Sequence, residues 1–245
     1  MLIIPAIDIK GGRCVRLKQG KMETEKVFST EPIEIVELWN SQGAKLIHIV
    51  DLEGAIKGRP INDQIIKKIS NSFTNIEFQV GGGIRDIESA RSYIDNGVSR
   101  VVLGTQAVKE PEFLEKLSML HPDKVVLAVD FIENQVKTGG WLQESEFTPR
   151  KLIERFRDLP LAAIVITDIS RDGMMQGPNL RSISQLSSLC TSPIIISGGI
   201  SKLDDLKPII KINHESKYEI ISGVICGRAL YEHSFTLKQA ISLAK

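Results

Sequence analysis

The sequence is short of the residues that staple or anchor a fold from outside its own core. It has only three cysteines, Cys14, Cys190 and Cys226. The number is odd and none stands in a Cys-x-x-Cys pair, so neither a disulfide framework nor a zinc site is expected. No Cys–His pairing points to a thiol nucleophile. Cys226 lies in the apolar run 222–226, where cysteine serves as a small hydrophobe. Excess charge of one sign is also missing: 31 Lys and Arg against 30 Asp and Glu leave a formal net charge of +1. No global field draws nucleic acid or an anionic membrane, so neither is expected as a partner. Any phosphate must be held by local geometry.

Long hydrophobic runs are absent as well. None approaches the roughly 18 residues of a membrane span. The opening Met1-Leu2-Ile3-Ile4-Pro5 has no basic region and reaches Asp8 where a signal peptide would still be apolar. A cytoplasmic location is therefore expected. Gly81-Gly82-Gly83 lacks the Gly-x-Gly-x-x-Gly spacing of a dinucleotide site. No metal-ligand cluster and no lysine placed for a Schiff base stands out, so no metal, no cofactor and no obligatory protein partner is expected. Of the four histidines, His48 lies near Asp51 and can reach a site there. His121, His214 and His233 fall in helix or loop contexts away from strand ends.

What is present is a rhythm. Short, nearly continuous apolar runs at residues 3–8, 46–51, 76–80, 100–103, 125–130, 163–168, 194–197 and 223–226 read as parallel strands buried on both faces. Amphipathic stretches lie between them. Ile87, Ala90 and Ile94 share one helical face, and Phe113, Leu114, Leu117 and Leu120 share another. Gly97 follows one helix and Pro149 stands near the start of a later one. Eight strand-then-helix units with nothing left over predict an α/β fold, a (β/α)8 barrel of TIM type, as a single domain over 1–245. A doubly wound sheet is the alternative, but it needs no eighth repeat.

The chain also reads as though written twice. Pro5-Ala6-Ile7-Asp8 corresponds to Leu127-Ala128-Val129-Asp130 at an offset of 122, and Asp51 to Asp168 at 117. Gly82-Gly83-Ile84 corresponds to Gly198-Gly199-Ile200 at 116, and Gly104 to Gly227 at 123. Ordered correspondences near half the chain length suggest two fused half-barrel repeats, approximately 1–122 and 123–245.

A barrel keeps its chemistry at the C-terminal ends of its strands. Asp8 and Asp130 end the first and fifth strands. Long loops follow both, which disfavours a helix-capping role. Capping is a stronger alternative for Asp51 and Asp168. Ser197-Gly198-Gly199-Ile200-Ser201 turns a strand toward a helix expected to begin near Ser201, and its backbone N–H groups can hold a phosphate. Gly227-Arg228 completes that cradle. Gly81-Gly82-Gly83-Ile84-Arg85 with Gly104-Thr105 is the counterpart across the mouth. Tight turns also want glycine, yet two related loops on opposite sides imply a long, bisphosphorylated small-molecule substrate. Arg85 and Arg228 supply local charge. Two carboxylates between two phosphate sites suit proton transfer between neighbouring carbons of an open-chain sugar, without fixing which is acid and which is base.

The sequence resembles the phosphoribosylformimino-AICAR-phosphate (ProFAR) isomerases of histidine biosynthesis along its whole length. The resemblance rests on the run from Pro5 to Leu17, on Val50-Asp51-Leu52-Glu53-Gly54-Ala55, on the run from Gly81 to Arg85, on Gly139-Gly140-Trp141 and on the run from Thr167 to Gly173. It implies an Amadori rearrangement of an aminoaldose to an aminoketose. Asp130 would be the general acid that opens the ribose ring, and Asp8 the base that moves the C2 proton. Arg16 and Trp141 would act from loops over the substrate, with Trp141 stacking on an aromatic ring. Thr167 and Asp168 would support the centre by hydrogen bonding. Three rivals stay open. The cyclase subunit of imidazole glycerol phosphate synthase is disfavoured by Ala6-Ile7-Asp8-Ile9-Lys10-Gly11-Gly12 and Gly140-Trp141. Phosphoribosylanthranilate isomerases carry cysteine where this chain has Asp8, although a dual-substrate isomerase remains open. A barrel that only binds phosphorylated ligands is disfavoured by the two retained aspartates.

Overall fold

In the computed structural model, which describes residues 1–216 and 220–245, the strands are β1 (Leu2–Lys10), β2 (Arg13–Lys18), β3 (Lys21–Ser29), β4 (Leu46–Asp51), β5 (Glu77–Gly81), β6 (Arg100–Leu103), β7 (Val125–Ile132), β8 (Gln135–Thr138), β9 (Gln143–Glu144), β10 (Ala163–Asp168), β11 (Ile194–Ser197) and β12 (Ile221–Cys226). Eight of them form a parallel ring in the order β1, β4, β5, β6, β7, β10, β11, β12, and β12 returns to β1. This is the expected (β/α)8 barrel. The eight apolar runs fall on its eight staves.

Strand alternation sorts the core into two layers. Ile4, Ala6, Leu46, Val102, Val126, Ala128, Ala163, Val165, Ile195 and Ile225 fill the barrel interior. Ile3, Ile7, Ile9, Ile47, Ile49, Leu127, Val129, Ile164 and Ile166 face outward against the helices. Each fully buried Val, Leu or Ile contributes roughly 1.5–3 kcal/mol, which is why continuous apolar strands select this closed form. The helix Ile87–Ile94 spans the expected residues and buries Ala90. The helix Pro111–Leu120 buries Leu114 and Leu117, but Leu120 is 55% exposed, contrary to its place on the expected apolar face. Leu120 is the last residue of that helix, next to its C-cap His121.

Two further departures matter for the mouth. After β11 the helix expected near Ser201 begins at Leu203 with one 3-10 turn, Leu203–Asp205, and becomes α-helical only over Leu206–Glu215. Asp205 accepts hydrogen bonds from the Ser201 backbone and hydroxyl and from the Lys202 backbone. The loops after β1 and β7 are not irregular either. β2 and β3 form an antiparallel hairpin on β1, and β8 and β9 form another on β7. Mixed polar stretches such as Lys21–Ser29 hide these strands from an apolar-run search.

Candidate functional site

A cavity of about 220 Å³ opens at the C-terminal ends of the staves. Period-two alternation decides which strand-end residues enter it. Asp8 shares the inward face of Ile4 and Ala6, and Asp130 that of Val126 and Ala128. Thr167 follows Ala163 and Val165 inward and sits in register beside Asp130. Asp51 and Asp168 lie one residue out of phase, on the side of Ile47 and Ile49 or of Ile164 and Ile166. They do not line the cavity. Asp51 accepts from the backbone N–H groups of Gly54, Ile61 and Asn62 and from the Asn62 side chain, at 2.7–2.9 Å. Asp168 accepts from the Ser170 backbone and hydroxyl and from the Asn179 side chain. Both buried aspartates tie down the loops beside the mouth: Asp51 caps the helix Leu52–Lys57, whereas Asp168 braces its loop and the cap of the next helix is Asn179.

The other expected site residues converge on the cavity: Asp8, Arg16, Gly82, Gly83, Arg85, Gly104, Thr105, Asp130, Trp141, Thr167, Ser197, Gly198, Gly199, Gly227 and Arg228. The glycine loops flank it from opposite sides. Gly83 has a φ of +82°, and a methyl group there would meet the Arg59 carbonyl carbon at 2.5 Å. Gly199 has a φ of +92°, and a methyl group would meet the Gly177 oxygen at 2.5 Å. Neither position accepts a side chain without strain. Gly104 and Gly227 each precede a short helix, Thr105–Lys109 and Arg228–Tyr231. The cradles therefore present backbone N–H groups suited to anions.

Electrostatics divide the carboxylates. Arg16, on β2, donates from Nη1 to Asp8 Oδ2 at 2.7 Å. Burial works against the Arg16 charge, but Asp8, Tyr231 and Asp172 more than offset it and raise its pKa. Burial pushes the Asp130 carboxyl up from the ordinary aspartate range, and hydrogen bonding from Trp141 and Thr167 opposes that rise. A third carboxylate, Asp172, shares the cavity. Burial pushes it up to about 6; Arg16 pulls it down, and Asp8 and Asp130 push it further up. Asp172 stands within the run from Thr167 to Gly173, with no role implied by the sequence. It lies in a loop rather than at a strand end, so strand parity cannot find it. His48 also lines the cavity, as its position allowed. Its Nδ1 lies 2.9 Å from Gln79 Nε2. Burial and then Arg16 push its pKa down to about 4, so the imidazole is neutral near pH 7.

Three loops meet above these groups. A methyl group on Gly20, at the β2–β3 turn, would meet the Trp141 indole at 2.6 Å, so Trp141 packs directly on that turn. The Gln19 N–H donates to the Asp172 carbonyl, and Arg228 donates to the Gly173 carbonyl at 2.7 Å. The Gly139 N–H donates to the Thr105 hydroxyl, anchoring the second hairpin to the cradle after β6. Among the described residues, no group of three His, Cys, Asp or Glu has metal-holding geometry. No helix among them is long and apolar enough to cross a membrane.

The sequence model of one family, the histidine biosynthesis proteins, matches residues 2–236. The chain belongs to that family. It is 43% identical over 244 residues to a protein of Alkalilimnicola ehrlichii, covering 100% of this chain and 97% of the relative. It is 43% identical over 245 residues to one of Prochlorococcus marinus, covering 100% and 94%. It is 44% identical over 243 residues to one of Vesicomyosocius okutanii, covering 99% and 98%. All three relatives are named 1-(5-phosphoribosyl)-5-((5-phosphoribosylamino)methylideneamino)imidazole-4-carboxamide isomerase. The match thus runs over nearly the whole length of this chain and of each relative.

Proposed function

We propose that the chain catalyses the Amadori rearrangement of ProFAR, an aminoaldose, to the aminoketose PRFAR. The observation that carries this reading is Asp8 and Asp130 facing one cavity between two glycine cradles. The cradles bind the substrate's two terminal phosphates, and this holds the sugar across the mouth. A buried carboxyl whose pKa is raised keeps its proton more readily, and Asp130 donates that proton to the ribose ring oxygen as the ring opens. Asp8, held by the hydrogen bond from Arg16, takes the C2 proton of the resulting imine. The enolamine then tautomerises to the ketose. The reaction is an isomerisation, so no atom is lost. Asp172 is a second candidate donor, because its carboxyl titrates at about 6 within the same cavity. Trp141 closes over the aromatic part of the substrate, and the enclosed cavity keeps water from the open-chain intermediate.

This site needs no metal or organic cofactor for proton transfer, and the chain acts in the cytoplasm without an obligatory protein partner. The test is turnover of ProFAR by purified protein, with phosphoribosylanthranilate assayed beside it. Turnover of the first alone supports the reading. Turnover of both makes this a dual-substrate isomerase, and turnover of neither sinks the proposal.

A further inference from the structure

Tyr231 stands behind the catalytic cavity, in the short helix after β12, and is only 8% exposed. Its hydroxyl donates to the Ala6 carbonyl of β1 at 3.0 Å, two residues before Asp8, and lies 3.2 Å from Cys14 Sγ on β2. The Arg16 guanidinium carbon lies 5.3 Å from the centre of the Tyr231 ring. Phe28 of β3 packs on the ring at 4.8 Å, and Trp39 meets it edge-on at 5.6 Å. Arg16 Nε is buried with no hydrogen-bond partner. One edge of this cation is thus held by Asp8, and the Tyr231 ring supplies a further attraction within cation–π range.

We infer that Tyr231 is a positioning residue for proton transfer: it clamps the β2–β3 hairpin to β1 and holds Arg16 in place on Asp8. A ring at this point does three things at once. It fixes the hairpin through Phe28, ties the hairpin strand to the stave through one hydroxyl, and offers its face to the guanidinium. An aliphatic residue of similar volume fills the space but does neither of the last two. The inference rests on the isomerase reading, because it assigns Tyr231 a role in orienting the base of that reaction.

The test is a double-mutant cycle on the full chain, with ProFAR turnover as readout. Tyr231→Leu and Tyr231→Phe are each made alone and with Arg16→Lys. The Leu variant is expected to lose about 10-fold in kcat with KM within about 2-fold of wild type. In the Arg16→Lys background the same change is expected to cost less than about 2-fold, because the contact it breaks has already been lost. Phe, which keeps the ring, is expected to restore kcat to within about 3-fold of wild type. Equal losses in both backgrounds or a rise in KM alone would overturn the inference, and a Phe variant as slow as Leu would overturn the hold of the ring on Arg16. If the Leu variant does not fold by circular dichroism, Tyr231→Met takes its place under the same criteria. Absence of turnover in the wild type defeats the isomerase reading itself, an outcome distinct from additivity in the cycle.

Discussion

In the first half of the chain Asp51 ties its loop through three backbone N–H groups and the Asn62 side chain. In the second half Asp168 ties the corresponding loop through Ser170 and the Asn179 side chain. Each asparagine stands eleven residues after its aspartate. Gly83 then packs on the chain at Arg59, and Gly199 on the chain at Gly177 and Pro178. The two frames are alike, and the differences lie in what reaches across them. Beside Gly104 there is room, with Ala128 Cβ 3.5 Å from where a methyl group would stand. Beside Gly227 the space is taken by the Arg16 guanidinium, which comes from the other half. Likeness of frame suits two similar phosphates. The unlike hairpins after β1 and β7 make one aspartate's surroundings different from the other's. We propose on this basis that the halves are related repeats whose catalytic asymmetry was added through loops.

The strongest way to break this comparison is to neutralise one aspartate at a time. Asp8→Asn and Asp130→Asn are each expected to lower kcat by about 10²–10⁴-fold, the scale of a positioned acid or base, with the fold retained. Near-normal turnover in Asp8→Asn would leave only the second half catalytic. Near-normal turnover in Asp130→Asn would move the donor to Asp172 within that same half, and Asp172→Asn should then show the large loss.

The cradles come next. Gly83→Val and Gly199→Val each force a side chain into a left-handed backbone and against a carbonyl group. Each is expected to cost about 1–3 kcal/mol in thermal unfolding and to raise KM for ProFAR. A KM change confined to one of them would mean that only one cradle holds phosphate. Gly104→Ala and Gly227→Ala sharpen the contrast. The first finds ordinary packing, with a change below about 1 kcal/mol. The second drives Arg16 from its place and is expected to slow turnover far more, read from kcat of the pair.

Asn62→Ala and Asn179→Ala each leave a buried carboxylate short of a donor, at a cost of about 1–3 kcal/mol. For a chain of this size each kcal/mol lowers Tm by about 2–4 °C. Asn62 is expected to cost more, because it has two further bonds, to Glu53 and from the Gly12 N–H in the turn between β1 and β2, where Asn179 has one, from the Ser182 N–H. Equal shifts would remove that distinction between the halves.

A further effect, spread over a range of pH, concerns Asp172. Asp172 titrates at about 6 in the folded chain, against an ordinary 3.8. Between those values the folded state holds the extra proton. Its contribution is therefore greatest below about 4 and is lost as pH rises through 6. The ceiling is about 3 kcal/mol at 1.36 kcal/mol per unit. Asp172→Asn is expected to flatten that decline, measured by urea unfolding from pH 4 to 7. An unchanged slope would place its proton elsewhere.

The staves and their order were legible because parallel strands buried on both faces leave continuous apolar runs. The strand-end residues were legible because a barrel gathers its strand ends at one mouth. Asp51 and Asp168 show where that reasoning stops short: standing at a strand end does not say which way a side chain faces. Counting by twos from Ala6 and Val165 would have separated Asp8 and Thr167 from them. The hairpins after β1 and β7 stayed hidden because their strands are half exposed and polar. With them went the packing of Trp141 on Gly20 and the place of Asp172, which depend on loops meeting in space.

The alternation along β7 has a consequence for how this chain can vary. One residue inserted among Val126, Ala128 and Asp130 would turn the aspartate outward and bring an apolar neighbour to the mouth, although every residue type were preserved. Substitution within a stave is graded, because it changes volume. Insertion is all-or-none, because it reverses phase. The loops outside the ring of staves carry no such parity with the strand faces.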